Sequence, residues 1–323
     1  MTTQEKDLDG LVAGVDLGGT KIQTIVARGD EIAGQVREPT PEDGADAIVA
    51  AVIDTIRTAT DASGANPGTL RAVGIGAPGR AHEGVVSRSP NIPGMHEPFP
   101  LGPRISEALG GVRVEVDNDV SVAMRGELER GAGRPFSSMF GVFVGTGVGG
   151  GIVMDRHVWR GRGAAAEIGH MIVKPDGRPC GCGGHGHLES YAGRASMQAK
   201  AERLVAEGGH TDLFHLMEKH GRDRMTSGII ERALEHGDHM TKRLMEQAVW
   251  ALGIAIASAQ NLLDVEAVII GGGLAERFGQ AWVDEIAAQM QPLLFSPDHP
   301  PAVLPAELGD LSGAMGAVVL AGG

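Results

Sequence analysis

The densest chemistry in the chain lies between Glu167 and Glu189. Glu167-Ile168-Gly169-His170 is followed by Cys180-Gly181-Cys182 and then by His187 and Glu189. His170, Cys180, Cys182 and His187 are soft or borderline ligands, and two thiolates with two imidazoles suit tetrahedral zinc. Four protein ligands leave no place for a reactive water, so the spacing predicts a structural site. His185 competes with His187 for the fourth position on sequence alone. Glu167 and Glu189 bracket the cluster, and a fixed metal would bring both carboxylates to one pocket, where they could accept hydrogen bonds from vicinal hydroxyls. The His170 nitrogen not on the metal would add a donor.

A second set of candidates is written in glycine. The 323 residues include 50 glycines, about twice the ~7% of average usage, and they cluster. In Asp16-Leu17-Gly18-Gly19-Thr20-Lys21, a tight turn lets backbone amides converge on phosphate oxygens, and the Thr20 hydroxyl adds a donor. Asp16 stands where it could hold a magnesium ion through water. Gly145-Thr146-Gly147-Val148-Gly149-Gly150-Gly151 repeats the device. A strand, Ile152 to Met154, follows it, which distinguishes it from the dinucleotide fingerprint that opens a helix. Gly271-Gly272-Gly273-Leu274 follows a buried strand and opens a helix. It reads either as a flat surface for adenine and ribose or as close strand-to-helix packing. Asp117-Asn118-Asp119 ends another strand, where open α/β sheets place ligands. Asp119 fits a general base that takes the proton of an attacking hydroxyl, while Asn118 or Asp117 makes an Asx turn and helix cap.

Positioning these residues requires alternating strands and helices. Leu11 to Asp16 and Ile22 to Ala27 read as antiparallel strands. Ala45 to Thr58 carries Ile48, Val49, Val52, Ile53 and Ile56 at helical spacing. Strands are predicted at Ala72 to Ile75, Val112 to Val116, Phe140 to Val144 and Ala267 to Ile270. Helices are predicted at His239 to Leu263, at Leu274 to about Gln291 and at Ser312 to Ala321, with Pro297 to Pro305 breaking regularity. The strand, glycine turn and strand unit occurs twice at domain-length spacing, which predicts two related α/β halves.

Composition narrows the function classes. With 28 Lys+Arg against 41 Asp+Glu, the formal charge is −13, unfavourable for a protein that grips nucleic-acid backbones over a broad face. Aromatic residues make up 3%, too few for stacking platforms on single strands. The first ten residues lack the basic and apolar pattern of a secretory signal. The longest apolar stretch, Ala248 to Ala259, is short of the ~20 residues of a membrane span. Cys180 and Cys182 are the only cysteines, one residue apart and too close for an unstrained disulfide. A reducing, cytoplasmic setting is expected, with no membrane or nucleic-acid partner.

Taken together, Asp16 to Lys21, Gly145 to Gly151, Gly271 to Leu274, Glu167 to His170 and the Cys180-Gly181-Cys182-Gly183-Gly184-His185-Gly186-His187-Leu188-Glu189 run resemble the ROK family of repressors, open reading frames and sugar kinases. Within it the likeness is to zinc-containing bacterial glucokinases. The resemblance implies an actin-like ATPase (ribonuclease H-like) α/β fold with two domains and an interdomain cleft. The expected division is residues 1–118 with the C-terminal helix 311–323, and residues 119–310. The implied activity is transfer of phosphate from ATP with Mg2+ to the 6-hydroxyl of a hexose, most simply glucose. N-acetylglucosamine, mannose or fructose are alternatives, polyphosphate is an alternative donor, and a non-catalytic sugar sensor is the alternative class. Asp119 would be the base. Asn91, Asn118, Asp119, Glu167, His170 and Glu189 would bind the sugar, with the loop Arg156 to Ala166 shaping its 2-position. Asp16, Gly18, Gly19, Thr20, Lys21, Gly145, Thr146, Gly147, Gly272 and Gly273 would bind the nucleotide. His170, Cys180 and Cys182 would hold structural zinc; the family usually has cysteine where this chain has His187. A homodimer is implied as well. Repressors of the family carry a DNA-binding domain before the first phosphate motif, and only fifteen residues precede Asp16 here.

Overall fold

The computed structural model describes residues 10–89 and 92–322. Two compact units emerge. The first takes in the chain to Pro135, Val158–Ala165 and the residues from Asp310 onward; the second comprises Phe136–His157 and Ala166–Gly309.

In the first unit, β1 (Leu11–Leu17), β2 (Lys21–Arg28) and β3 (Glu31–Pro39) run as an antiparallel meander. The helix α1 (Ala45–Ala62) buries Ile48, Val49, Val52, Ile53 and Ile56, the face its periodicity predicts. Each such side chain contributes roughly 1.5–3 kcal/mol of transfer free energy. Next come β4 (Leu70–Ala77), a short hairpin of β5 (Arg80–His82) and β6 (Val85–Ser87), α2 (Leu101–Ala108), β7 (Arg113–Asn118) and α3 (Asp119–Arg130). The sheet order is β3-β2-β1-β4-β7, with β4 parallel to β1 and β7 parallel to β4. β3 has no counterpart in the sequence reading. It is an edge strand whose residues are mostly half or fully exposed, so it carries no apolar run.

The second unit repeats this plan. β8 (Met139–Val144), β9 (Val148–Met154) and β10 (His157–Val158) open it, followed by α4 (Glu189–Ala192), α5 (Arg194–Ala206), α6 (Leu213–Lys219) and α7 (Ser227–Glu235). Then α8 (His239–Leu263), β11 (Ala267–Gly271), α9 (Gly272–Met290) and β12 (Ala302–Pro305) complete the unit. The order is β10-β9-β8-β11-β12, again with an antiparallel pair beside parallel strands. The helix α8 starts where Asp238 accepts the Thr241 amide at 2.7 Å and ends at Asp264 in the left-handed region. Its apolar stretch buries Leu252 and Ile256 completely in the core. Among the described residues no helix is long and apolar enough to cross a membrane. β12 lies inside the proline-rich stretch read as irregular. It is an edge strand paired only with β11, the place where a sheet tolerates proline.

The expected boundary after residue 118 needs correction. The chain crosses to the second unit after Pro135, so α3 stays in the first. The reason is packing against the C-terminal helix α10 (Ser312–Gly322), where the Ser312 hydroxyl donates to buried Glu127 at 2.7 Å. The segment Val158–Ala165, expected in the second domain, also belongs to the first unit. There Arg160 pairs with Asp117, and Arg80 donates to the Arg162 carbonyl at 3.2 Å.

Candidate active site

At the end of β1, Leu17 pairs with Ile22 and residues 18–21 form the turn. The Gly18 amide donates to the Lys21 carbonyl at 2.9 Å, and the Thr40 hydroxyl donates to the Gly18 carbonyl at 2.7 Å. The Gly18 amide therefore closes the turn itself. Lys21 donates to Asp310 at 2.5 Å, and Arg37 reaches the other oxygen of that carboxylate at 2.9 Å. Burial pushes the Asp310 carboxyl up, but these two cations outweigh it and hold it below the ordinary range. Asp16 behaves oppositely. Burial, reinforced by the carboxylate of Asp119, pushes it up to about 7 against the pull of Lys21.

The end of β7 resolves the division of labour among Asp117, Asn118 and Asp119. The Asn118 side-chain oxygen accepts the Val120 and Ser121 amides, both at 3.1 Å, so Asn118 caps α3. Its amide nitrogen donates to the Gly79 carbonyl at 3.1 Å. Asp117 is 6% exposed; one oxygen accepts the Asn118 amide at 2.9 Å and the other takes two donors of Arg160, Nε at 2.9 Å. Asp119 is the first residue of α3, half-buried, and accepts the Val120 amide at 2.9 Å. Asn91 lies outside the described residues.

In the second unit the last pair of the hairpin is Val144 with Val148, so the turn is residues 145–147. Gly149, Gly150 and Gly151 are paired within β9, a correction to the longer turn read from the sequence. A Cβ on Gly150 would lie 2.5 Å from the Ala166 carbonyl, so the small residue admits the chain that leads into Glu167. The Gly145 amide closes the turn on the Gly147 carbonyl at 2.9 Å. The turn is braced from behind. Arg194 and Ala195 amides donate to the carbonyls of Gly145 and Thr146 at 3.2 and 3.0 Å, and Glu189 accepts the Val148 amide at 2.9 Å.

The four metal-ligand candidates meet: one ligand atom from each of His170, Cys180, Cys182 and His187 lies within 4.8 Å of the others. Cys182 Sγ stands 3.2 Å from His187 Nδ1, and the His170 and His187 rings meet edge to face. The gathered imidazole is that of His187, with His185 outside the cluster. Burial pushes the Cys180 thiol up; the Cys182 backbone amide pulls it down, while the Cys182 side chain and Glu189 add to the rise. Two thiols and two imidazoles at this spacing are a donor set that fits a tetrahedral zinc ion. Glu167, just before the short 3₁₀ turn Ile168–His170, and His170, its last residue, are both exposed. Glu189, the first residue of α4, comes within 3.9 Å of Cys180 Sγ.

At the third glycine cluster, Gly272 has φ 83° and a Cβ there would lie 2.7 Å from the Val144 backbone. Close strand-to-helix packing thus accounts for Gly272. Gly273 instead faces Arg194, whose guanidinium donates to the Ser227 hydroxyl at 3.1 Å. Burial lowers the Arg194 pKa against the pull of Glu276. Sequence reasoning missed Arg194, Ser227, Arg160 and Asp310. Each is a common surface residue type, made notable only by a partner distant in the chain.

The pattern of the ROK family matches residues 12–323. This chain belongs to the ROK family. A glucokinase of Streptomyces coelicolor is 35% identical, over 97% of this chain and 98% of that one. Among solved structures, a ROK family glucokinase from Streptomyces griseus, in complex with glucose and AMPPNP, superposes with a TM-score of 0.81 at 34% identity. That match covers 97% of this chain and 99% of that one. A ROK hexokinase from Thermus thermophilus gives a TM-score of 0.76 at 31% identity, covering 96% and 97%. These neighbours bear out the actin-like ATPase fold, and the two sheets of like strand order are its duplicated halves.

Proposed function

We propose that this ROK sugar kinase transfers the γ-phosphoryl group of ATP to the 6-hydroxyl of glucose, with Asp119 as general base. The observation that carries the reading is the pair of glycine turns at equivalent positions of two like sheets, together with a carboxylate at the start of α3. The likeness to glucokinases along the whole chain supports a sugar kinase with a hexose and ATP as its small-molecule partners. The finer assignments rest on residue chemistry.

Asp119 accepts the proton of the 6-hydroxyl as that oxygen bonds to the γ-phosphorus. The bond from phosphorus to the β,γ-bridging oxygen breaks, and ADP leaves. Glu167, His170 and Glu189, with Asn91 and Asn118, take the remaining sugar hydroxyls. The turns at 18–21 and 145–147 offer backbone amides and Thr20 and Thr146 hydroxyls to phosphate oxygens, and Lys21 adds charge. Gly273, beside Arg194 and Ser227, receives the adenosine. Magnesium near Asp16 would screen the phosphate charge. Zinc on His170, Cys180, Cys182 and His187 would fix the loop that carries Glu189 and orient His170. The segment Arg156 to Ala166 reads the sugar 2-position. Action in the cytoplasm on a glycolytic substrate, as a homodimer, completes the reading.

Steady-state phosphorylation of glucose, N-acetylglucosamine, mannose and fructose, with ATP or polyphosphate as donor, tests it. The highest kcat/KM is expected for glucose with ATP. A preference for another hexose or for polyphosphate overturns the substrate assignment, and sugar binding without turnover identifies a sensor.

A further inference from the structure

A cavity of about 430 Å³ lies in the second unit, between α5 and the first turns of α8. The volume is that of a small-molecule site. Leu204, Met240 and Leu244 supply an apolar lining. Around them stand Lys200, His210, His239 and Arg243, and no carboxylate is among the described residues that line it. In a chain of formal charge −13, an apolar hollow lined by two cations, Lys200 and Arg243, and by two imidazoles, with no lining carboxylate among the described residues, is locally positive. That combination selects a ligand with one acidic headgroup and an apolar body.

One wall connects to the sugar-kinase machinery. Gln247 lines the cavity, and its side-chain oxygen accepts a hydrogen bond from Arg178. The Arg178 guanidinium lies over the Tyr191 ring, 4.6 Å from its centroid, and its second nitrogen donates to the Ser190 carbonyl at 3.4 Å. Ser190 and Tyr191 directly follow Glu189 in α4. The Arg178 carbonyl accepts the Gly186 amide at 2.8 Å, one residue before His187. A ligand that displaces Gln247 therefore pulls on a side chain bonded to Ser190, in a residue whose backbone carbonyl holds the Gly186 amide.

We propose that this cavity binds a small amphipathic anion, and that its occupation alters hexose binding through Gln247 and Arg178. The binding half stands apart from the proposed activity, whereas the coupling half rests on it.

The test uses 8-anilinonaphthalene-1-sulfonate as probe and the full chain without sugar or nucleotide. Saturable binding of one probe per chain is expected. The double variant Lys200→Glu/Arg243→Glu should weaken it about tenfold or more at an unchanged melting temperature. The uncharged analogue N-phenyl-1-naphthylamine should bind about tenfold more weakly than the sulfonate. Unsaturable binding, equal affinity for the neutral analogue, or indifference to the charge reversal overturns the site. So does a wild-type chain that binds no probe and forms a dimer that the double variant loses, because a second copy would then fill the groove. For the coupling, saturating probe should shift the hexose KM about threefold or more, and Gln247→Ala should keep probe binding while abolishing the shift. An unchanged KM at saturating probe overturns the coupling. A chain that phosphorylates no hexose overturns the coupling together with the proposed activity, and the titration still decides the site.

Discussion

The turns that follow β1 and β8 hold equivalent places in two sheets of like order, yet the protein secures them by different means. Behind the first, besides the Thr40 hydroxyl and amide on the Gly18 and Thr20 carbonyls, stand charges: Lys21 and Arg37 on Asp310, and Asp16 beside the field of Asp119. Behind the second stands a lock of hydrogen bonds, from Glu189 to the Val148 amide and from the α5 amides to Gly145 and Thr146. Duplication preserved the backbone device while the surroundings diverged. The first turn sits beside Asp16, whose carboxyl is pushed up to about 7. The second is tied to the loop that gathers two thiols and two imidazoles. Charge tuning and rigid bracing respond to different perturbations, so the two halves can be separated by experiment.

The largest effect should come from the charged half. Asp119→Asn is expected to lower kcat by ~10²–10⁴, the usual contribution of a general base, with hexose KM little changed. Steady-state kinetics check this, and near-normal turnover removes Asp119 from the role. On the braced half, removing bound metal with a chelator, or Cys182→Ser, should lower the melting temperature by roughly 5 °C or more, given ~2–4 °C per kcal/mol for a unit of this size. Metal analysis should return one zinc per chain. A metal-free chain that melts identically with and without chelator makes the cluster an ordinary set of thiols and imidazoles.

Asp16 sharpens the contrast through pH. Its carboxyl rises from 3.8 to about 7 on folding, so the folded chain holds the proton longer than the unfolded one. The associated stability is complete below the unfolded pKa and is lost as pH climbs through the folded value. At ~1.4 kcal/mol per unit the loss amounts to a few kcal/mol. Urea unfolding without divalent cation should show wild type falling behind Asp16→Asn between acidic and neutral pH, with the difference constant above pH about 7. Parallel curves at every pH would contradict the burial of that charge. Glu189→Ala acts through a hydrogen bond instead. It leaves the Val148 amide without its acceptor, at a cost of roughly 1–3 kcal/mol. The matching Asp310→Ala removes two part-exposed ion pairs, each worth less than ~1 kcal/mol. Equal losses from the two would erase the distinction between a braced turn and a charge-tuned one.

What could be read in advance follows from distance along the chain. His170, Cys180, Cys182 and His187 fall within one short run, so their spacing exposes the cluster; choosing His187 over His185 required the folded loop. The helix His239–Leu263 matches its apolar pattern at both ends because Asp238 and Asp264 cap it locally. Asp310 reaches Lys21 across 289 positions, and nothing near either residue announces the pair. The domain boundary failed for a similar reason, since α3 is held by a helix from the far end of the chain. β3 and β12 escaped because edge strands need neither an apolar run nor freedom from proline. Glycines 149–151 looked like turn and proved to be strand, where approach of the Ala166 backbone excludes a side chain at Gly150.

The identity of the reaction product tests the central claim most directly. After incubation of the full chain with glucose, ATP and Mg2+, phosphorus NMR should show glucose 6-phosphate and ADP accumulating in equal amounts. Phosphate on another hydroxyl, or ATP hydrolysis that leaves glucose unmodified, would contradict the account.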